Sequence, residues 1–274
     1  MAEGRFIFVF RILITNPAHN MNHQNLSLKK SLGQHFLRDE NICRKIVAAL
    51  QQNTIHQLVE VGPGGGALTK YLLEIDQIDF KIVEIDIEKV EFLEKNFPLL
   101  RDRILHKDFL EIEKPFEGKF TVIGNFPYNI SSQILFKILD WKEDVECVIG
   151  MFQKEVALRV ASKEGSKIYG VLSVLIQAFF SVEYLFEVNE KSFSPPPKVK
   201  SAVIRLMPKQ ESADMKTQKH FFMLVKTAFN QRRKTLRNAV RNLFEDAILQ
   251  DAIFDKRAEQ LTVDDFAQLT WKMK

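Results

Sequence analysis

The chain has few of the residues that stabilise small secreted or zinc-dependent folds. Cysteine occurs twice in 274 residues, as Cys43 and Cys147, with no CxxC motif and no Cys/His spacing suited to a metal. This scarcity excludes a disulfide scaffold and structural zinc, and it is typical of a reducing cytosol. We therefore expect a cytoplasmic protein without a metal. Tyrosine and tryptophan are also scarce beside 23 phenylalanines, so most aromatic rings should pack in a core.

Long apolar runs are missing as well. No stretch is long enough to span a bilayer, so no membrane partner is expected. The apolar stretch 6–14 is short, is interrupted by Arg11 and is followed by a poor cleavage site for a signal peptide. We expect residues 1–27 to be a disordered tail, and Met21 to be the natural initiator. The expected oligomeric state is a monomer.

Charge is modest overall but locally concentrated. The formal net charge is +4, yet the segment 226–241 holds six basic residues and no acid. Such a patch is a common footprint of a polyanion partner. Arg233, Arg237 and Arg241 recur every four residues, which predicts one shared helix face that contacts nucleic-acid phosphates. The alternative is the solvated face of an ordinary amphipathic helix.

Strand and helix patterns alternate over the first part of the chain. Alternation of this kind predicts a mostly parallel sheet with helices on both faces. The predicted helices cover 40–50, with Asp39 as N-cap, 67–75, 88–96 and 132–139. The predicted strands cover 56–61, 80–85, 103–106, 120–124 and 145–152.

The pattern then changes. A helix over 171–179 precedes two strand-like runs, 182–188 and 199–207, which are too close for a crossover helix and should be antiparallel. Five parallel strands followed by an antiparallel pair predict an α/β fold, the Rossmann-like sheet of class I S-adenosylmethionine-dependent methyltransferases. We predict this domain over 28–208 and a small all-α C-terminal domain over 209–274.

A glycine-rich loop joins the first predicted strand of the sheet to the helix that follows it. The segment Gly62-Pro63-Gly64-Gly65-Gly66 lets the backbone turn sharply and approach a ligand, with helix N–H groups facing that ligand. Glu84 ends the next strand, where a carboxylate can accept both hydroxyls of a ribose. Gly62, Gly64 and Glu84 therefore predict a nucleoside site.

The same loop formally satisfies the dinucleotide fingerprint, so an NAD-dependent dehydrogenase stays open at this point. Two residues oppose it. Pro63 removes an N–H group that a pyrophosphate could use, and Glu60 places a carboxylate where a phosphate would be disfavoured. A carboxylate there suits a cationic amino-acid group. Asp108, after the third strand, could accept a hydrogen bond from an exocyclic amine, although alone it is more typical of a capping residue.

The tetrapeptide Asn125-Phe126-Pro127-Tyr128 directly follows the fourth strand and predicts chemistry on adenine N6. That amine is a poor nucleophile because its lone pair is delocalised into the ring. Hydrogen bonds from N6–H to the Asn125 side-chain oxygen and the Phe126 carbonyl would favour tetrahedral geometry, and Pro127 fixes that carbonyl. Tyr128 offers a ring on which a flipped-out base can stack. Positioning then supplies the rate without a strong general base.

Five stretches together resemble one family, the small-subunit ribosomal RNA adenine dimethyltransferases. The resemblance spans 29 to about 241. The stretches are KKSLGQHFL over 29–37, VEVGPGGGALT over 59–69, NFPYNISS over 125–132, QKEV over 153–156 and SFSPPPKVKSAV over 192–203.

The resemblance implies roles that the residues alone do not establish. It implies that Tyr128 and Phe193 sandwich the target adenine. It implies N6,N6-dimethylation of two adjacent adenosines in a 3′-terminal hairpin loop of 16S rRNA, within the 30S subunit or its assembly precursor. Two departures, His35 for Asn and Phe126 for Leu, should matter little. The implied contacts to S-adenosylmethionine come from His35, Leu37, Gly62, Glu84, Asp108 and Asn125.

Two further functions stay open beside the dehydrogenase. The 23S rRNA adenine methyltransferases that confer macrolide resistance share the glycine loop and the type of aromatic tetrapeptide. The stretch 192–203 and the basic C-terminal segment favour the small-subunit enzyme. A non-catalytic RNA-binding or ribosome-assembly factor is the other alternative.

Overall fold

The computed structural model describes residues 35–51 and 54–274. The expectations for the tail 1–27 and for Met21 as initiator lie outside these residues. So does the first part of the resembling stretch 29–37.

The central sheet has seven strands in the order β4-β3-β2-β5-β6-β9-β7. The first five strands of that order are parallel, whereas β9 is antiparallel to both β6 and β7. The predicted α/β methyltransferase sheet is therefore confirmed, including its antiparallel end. The strands are β2 (Gln57–Val61), β3 (Asp79–Glu84), β4 (Ile104–His106), β5 (Phe120–Asn125), β6 (Val145–Gln153), β7 (Phe180–Val188) and β9 (Ser201–Pro208).

A second, two-stranded sheet was not predicted. It pairs β1 (Phe36–Leu37) with β8 (Phe193–Ser194) in antiparallel orientation. Strands of two residues carry no readable alternation in sequence, and their partners here lie more than 150 residues apart. Only the folded chain brings them together.

The helices surround the sheet. Helix α1 has the predicted bounds because the Asp39 side chain caps it, accepting from the N–H groups of Asn41 and Ile42. Helix α2 is shorter than predicted at both ends, and Leu68 at its N-cap makes no side-chain hydrogen bond. Helix α5 was not predicted. The helices are α1 (Glu40–Leu50), α2 (Thr69–Leu72), α3 (Ile87–Asn96), α4 (Ser131–Asp140), α5 (Lys154–Ala161), α6 (Val171–Gln177), α7 (Gln218–Asn230), α8 (Leu236–Ala239) and α9 (Val263–Trp271).

Apolar residues cover both faces of the sheet. Neighbouring strand residues point to opposite faces, so Leu58 lies in one buried cluster and Val59 in the other. The cluster with Leu58 also holds both cysteines. The cluster with Val59 continues into the C-terminal helices through residues such as Phe221 and Phe266. A sheet covered in this way holds the carboxyl ends of its parallel strands at one rigid edge.

The basic segment 226–241 is not one helix, and the predicted shared face of its arginines is wrong. Helix α7 ends at Asn230, a turn follows, and α8 begins only at Leu236. Thr235 is extended, and the Leu236 N–H donates to the carbonyl of Lys256 instead of to a helical partner. A tertiary hydrogen bond therefore replaces the helical one at this point.

Candidate active site

One cavity lies at the carboxyl ends of β2, β3 and β5. Strand ends of a parallel sheet meet at a single edge, which is where open α/β sheets bind ligands. All the residues predicted to contact the methyl donor line this cavity, together with the remaining residues of the target-base motif. They are His35, Leu37, Gly62, Gly64, Glu84, Asp108, Asn125, Phe126, Pro127 and Tyr128.

The glycine loop needs glycine at both predicted positions. Gly62 and Gly64 have φ values of +65° and +56°, a region that costs other residues free energy. A Cβ atom on Gly64 would lie 3.1 Å from the Phe36 ring. The Gly64 N–H donates to Glu84 Oε2 at 3.3 Å, so the loop and the end of β3 are joined. The loop backbone is thereby exposed to a ligand in the cavity.

Glu84 is held in place by backbone donors. Its Oε1 accepts from the N–H groups of Ile85 and Asp86, both at 2.9 Å. Burial raises the pKa of this carboxyl, and the N–H donors oppose that rise because they favour the charged form. Glu84 lines the cavity, and these bonds hold its carboxylate in a fixed orientation, which suits a ligand with two adjacent hydroxyls.

Glu60 is the second carboxyl of the cavity and is fully buried. Burial raises the pKa of Glu60 to about 8, although the Thr69 hydroxyl donates to its Oε2 at 2.7 Å. A buried carboxyl of this kind gains most from a nearby positive charge. The residues present therefore fit S-adenosylmethionine, which carries an ammonium group and a sulfonium.

Asp108 does two things at once. Its Oδ1 accepts from the Leu110 N–H at 2.9 Å, which is the capping role that the sequence allowed. The same residue lines the cavity, where the sequence predicts a contact to the methyl donor. One carboxylate oxygen is used in the turn, and the other is suited to an exocyclic amine.

Asn125 is oriented by the segment that precedes α1. Its Nδ2 donates to the His35 carbonyl at 3.1 Å. This bond uses the donor end of the carboxamide, so Oδ1 is the end that suits an adenine amine. The backbone of His35 therefore helps to orient the residue predicted to bind the target base.

The Phe126 side chain is part of the core. It is 1% exposed and stacks edge-to-face on Phe152, with ring centroids 5.0 Å apart. Gly124 and Gly150 make room for it, because a Cβ on either would lie within 2.7 Å of its ring. The buried side chain is not available to a substrate, and the role of the Phe126 backbone carbonyl stays a prediction.

Tyr128 presents its ring at the cavity while its hydroxyl is tied down. The hydroxyl and Ser201 Oγ lie 2.5 Å apart, and burial raises the pKa of Tyr128. The Tyr128 and His35 rings are tilted, with centroids 5.5 Å apart. The ring is therefore fixed at one end beside the cavity, as a stacking platform requires.

Phe193 does not line the cavity. Its side chain is 4% exposed, and in β8 it pairs with Leu37 of β1. The implied sandwich of an adenine between Tyr128 and Phe193 stays a prediction. Phe36, Ile85 and Lys107 do line the cavity and were missed. They adjoin predicted residues in sequence, but nothing in the pattern marks them.

The three predicted phosphate-binding arginines differ. Arg233 and Arg241 are exposed, in the turn after α7 and in the turn after α8. Arg237 is bound within the protein: its Nε donates to the Leu249 carbonyl at 2.9 Å and its guanidinium pairs with Asp255 at 2.9 Å. Arg237 therefore has a structural role, whatever it does with RNA.

Two kinds of feature are absent from the part of the chain that the structure describes. In residues 35–51 and 54–274, no group of three or more histidine, cysteine, aspartate or glutamate side chains is arranged to hold a metal ion. Within the same ranges, no helix has the length and apolar character needed to cross a membrane.

Comparison with known proteins decides the family. The model of a family described as ribosomal RNA adenine dimethylase matches residues 25–272. The chain belongs to that family. A ribosomal RNA adenine dimethylase is an S-adenosylmethionine-dependent enzyme, so the dehydrogenase alternative no longer applies.

Individual relatives agree with this family. The chain is 50% identical over 255 residues to ribosomal RNA small subunit methyltransferase A of Flavobacterium johnsoniae, covering 92% of this chain and 97% of that protein. A dimethyladenosine transferase from Plasmodium falciparum is 25% identical, with a TM-score of 0.72 over 86% of this chain and 96% of that one. The 23S rRNA methyltransferase ErmE has a TM-score of 0.65 at 23% identity, covering 85% and 99%, and shares the fold.

Proposed function

We propose that this adenine dimethylase transfers methyl groups to N6 of two adjacent adenosines in a hairpin loop near the 3′ end of 16S rRNA. The observation that carries the proposal is that one cavity is lined both by the glycine loop with Glu84 and by Asn125–Tyr128. The relative that is 50% identical and named as a small-subunit methyltransferase supports small-subunit RNA as the substrate. The likeness to ErmE is one of fold and does not favour the large-subunit RNA.

On the donor side, each residue has a chemical reason for its role. S-adenosylmethionine carries the methyl group that is transferred on a sulfonium. Once that methyl group has been transferred, the rest of the donor leaves as S-adenosylhomocysteine. We assign the ribose hydroxyls to Glu84, which backbone donors hold at the strand end. Glu60 is suited to the cationic amino-acid moiety, and Asp108 to the adenine amine of the donor. Gly62 and Gly64 let the backbone approach, and His35 and Leu37 close the cavity.

On the target side, two acceptors would orient the amine. N6–H groups of the adenine donate to Asn125 Oδ1 and to the Phe126 carbonyl, while the base stacks on Tyr128 and Phe193. The nitrogen lone pair then attacks the methyl carbon, so the N–C bond forms as the S–C bond breaks. The product amine loses a proton to water, and no residue has to act as a strong base. Alignment of donor and acceptor supplies the rate.

The partner that fits these assignments is the 30S subunit or an assembly precursor. The protein would bind this partner in the cytoplasm, as a monomer. We propose residues 209–274 as the RNA-binding domain beside the methyltransferase domain 28–208. Arg233 and Arg241 contribute exposed positive charge to it. Arg237 is the weakest of the three candidates, because its guanidinium already has partners within the protein.

The test uses labelled S-adenosylmethionine and small ribosomal subunits from a strain that lacks this enzyme. We expect label in dimethyladenosine, mapped by mass spectrometry of RNA digests to an adjacent pair near the 3′ end. Large-subunit RNA from the same strain is the matched substrate control. Transfer to the large-subunit RNA alone would move the protein to the resistance methyltransferases and contradict the proposal.

A growth experiment separates the enzyme from a purely assembly-related role. In the strain that lacks the enzyme, Asn125→Ala should fail to restore dimethyladenosine. If this variant restores growth fully without methylation, the strain needs the protein for its binding to the small subunit and not for methyl transfer. An assembly role and methylation are compatible in one protein, so both readouts are needed.

A further inference from the structure

Two segments that are far apart in sequence meet beside the active site. We call residues 35–39 the donor strap, because His35 and Leu37 line the cavity. We call residues 192–195 the target loop, because it contains Phe193. Their backbones pair as β1 and β8, and the Arg38 N–H donates to the Ser192 carbonyl at 2.8 Å. The donor side and the target side are thus joined directly.

Side chains reinforce this junction at both ends. Ser192 Oγ donates to Asp39 Oδ2 at 3.1 Å, across 153 positions of sequence. The other oxygen of Asp39 caps α1 through the N–H groups of Asn41 and Ile42. At the opposite end, His35 Nδ1 lies 2.9 Å from the Pro195 carbonyl. Asp39 therefore links the donor strap, the target loop and a helix of the main fold.

Packing couples the same two segments. Leu37 and Phe193 are register partners in the small sheet, each is 4% exposed, and both belong to the same buried cluster. Closely packed side chains cannot shift independently without opening a void. A ligand that fixes Leu37 from the cavity side therefore restricts where Phe193 can lie.

We propose that Asp39 and Ser192 are positioning residues that couple donor binding to binding of the target RNA. With the donor cavity filled, the donor strap holds the target loop where the adenine is received, and RNA binds more tightly. Coupling between two sites is reciprocal, so bound RNA tightens the donor as well. The inference rests on the proposed function, because it needs Phe193 on the adenine side.

The test is the Ser192→Ala variant of the full-length protein. It removes one side-chain bond and leaves the backbone pairing and the cap of α1 intact. Affinity for unmethylated small subunits is measured with and without S-adenosylhomocysteine, which fills the donor site without reacting. We expect wild type to bind RNA about tenfold more tightly with it. Ser192→Ala should lose most of that factor and about fivefold in kcat, with an unchanged affinity for S-adenosylhomocysteine alone.

Two further variants separate positioning from general stability. Ser192→Thr keeps a hydroxyl and should restore the coupling. Ser181→Ala removes a hydroxyl at the start of β7, which donates to the Met207 carbonyl. In this variant S-adenosylhomocysteine should tighten RNA binding as much as in wild type. Melting temperatures of all variants are measured alongside.

Contrary outcomes are distinguishable. Wild-type coupling and kcat in Ser192→Ala would overturn the inference and leave the proposed function intact. Equal losses in Ser192→Ala and Ser181→Ala would also overturn it, since they would reflect stability alone. Wild type that transfers no methyl group to small-subunit RNA would overturn the proposed function, and this inference with it.

Discussion

Two regions of the molecule carry polar residues whose positions the sequence pattern predicts: the carboxyl edge of the sheet and the basic segment 226–241. The prediction holds for the first region and fails for the second. At the sheet edge, the loop after β2 meets the end of β3, and the Gly64 N–H donates to Glu84 Oε2 at 3.3 Å. In the basic segment, arginines four apart are separated by a turn and differ in their partners. Parallel strands fix where their ends meet, whereas spacing by four has meaning only if the helix is continuous.

The largest effect should come from Asn125, where the sheet edge meets the target base. Asn125→Ala removes the acceptor for the adenine amine, and we expect kcat to fall about 10²- to 10³-fold, the range found when one preorganised polar group is removed. Single-turnover transfer of labelled methyl measures it. Asn96→Ala, which loses only a bond to the Phe92 carbonyl in α3, is the control and should keep full activity. A comparable loss in both variants would contradict the assigned role.

The glycine loop offers a matched pair of substitutions. Gly64→Ala places a side chain at φ +56° and 3.1 Å from the Phe36 ring, so donor affinity should fall about tenfold or more. Gly165→Ala has a similar backbone cost at φ +81°, but no atom lies within 4 Å of the added Cβ. Calorimetry with S-adenosylhomocysteine should show normal affinity for Gly165→Ala. Equal affinities would mean that the loop does not approach the donor.

The basic segment can be divided by a similar contrast. Arg233→Ala with Arg241→Ala should leave stability unchanged and reduce the magnitude of the negative slope of log affinity against log salt by about 2, one phosphate contact for each. Arg237→Ala should instead cost about 1 kcal/mol of stability, because it loses the Leu249 carbonyl and a half-exposed ion pair. Salt titrations of RNA binding and denaturant unfolding measure the two. An unchanged slope in the double variant would show that Arg233 and Arg241 do not contact RNA phosphates.

The last prediction concerns the pH dependence of stability and the buried Glu60. Its pKa is raised by burial from 4.5 to about 8, so the folded protein holds a proton there that the unfolded chain has lost. The favourable effect of this proton on the free energy of unfolding is fully present below about pH 4.5, and it is lost as the pH rises through about 8. Glu60→Gln stays neutral at every pH, so the difference between its melting temperature and that of wild type should be about 10 °C more favourable to the variant at alkaline than at acidic pH.

A control is needed for the loss of a negative charge. Glu74→Gln changes an exposed carboxyl, and its difference from wild type should be the same at both ends of the pH range. If Glu60→Gln behaves in the same way as Glu74→Gln, Glu60 is already ionised in the free protein. The carboxyl would then be stabilised by something other than a bound cation.

Much of the fold was predictable because its signals are local. Asp39 caps α1 as expected, and the five parallel strands with their antiparallel end follow from alternation and from a connection too short for a helix. What failed were features set by remote partners. The arginine segment breaks where the Leu236 N–H donates to the Lys256 carbonyl, and β1 pairs with a strand more than 150 positions away.

The candidate site divides in the same way. The glycine loop, Glu84 and Asn125–Tyr128 carry their chemistry in residue type and in position after a strand, so they could be found from sequence. His35 and Leu37 came only from the family resemblance, because a two-residue strand has no pattern. Phe36 and Ser201 were missed, since contact with Gly64 and with the Tyr128 hydroxyl exists only in the folded chain.

The amino-acid sequence by itself determined the class of fold, the donor loop and the motif for the target base, because periodicity and turn chemistry act over a few neighbouring residues. The tertiary structure decided which of these residues meet. It oriented the Asn125 carboxamide through the His35 carbonyl, buried Phe193 against Leu37 and gave Arg237 partners of its own. Such contacts join segments from 12 to more than 150 positions apart, and only packing around a common core brings them together.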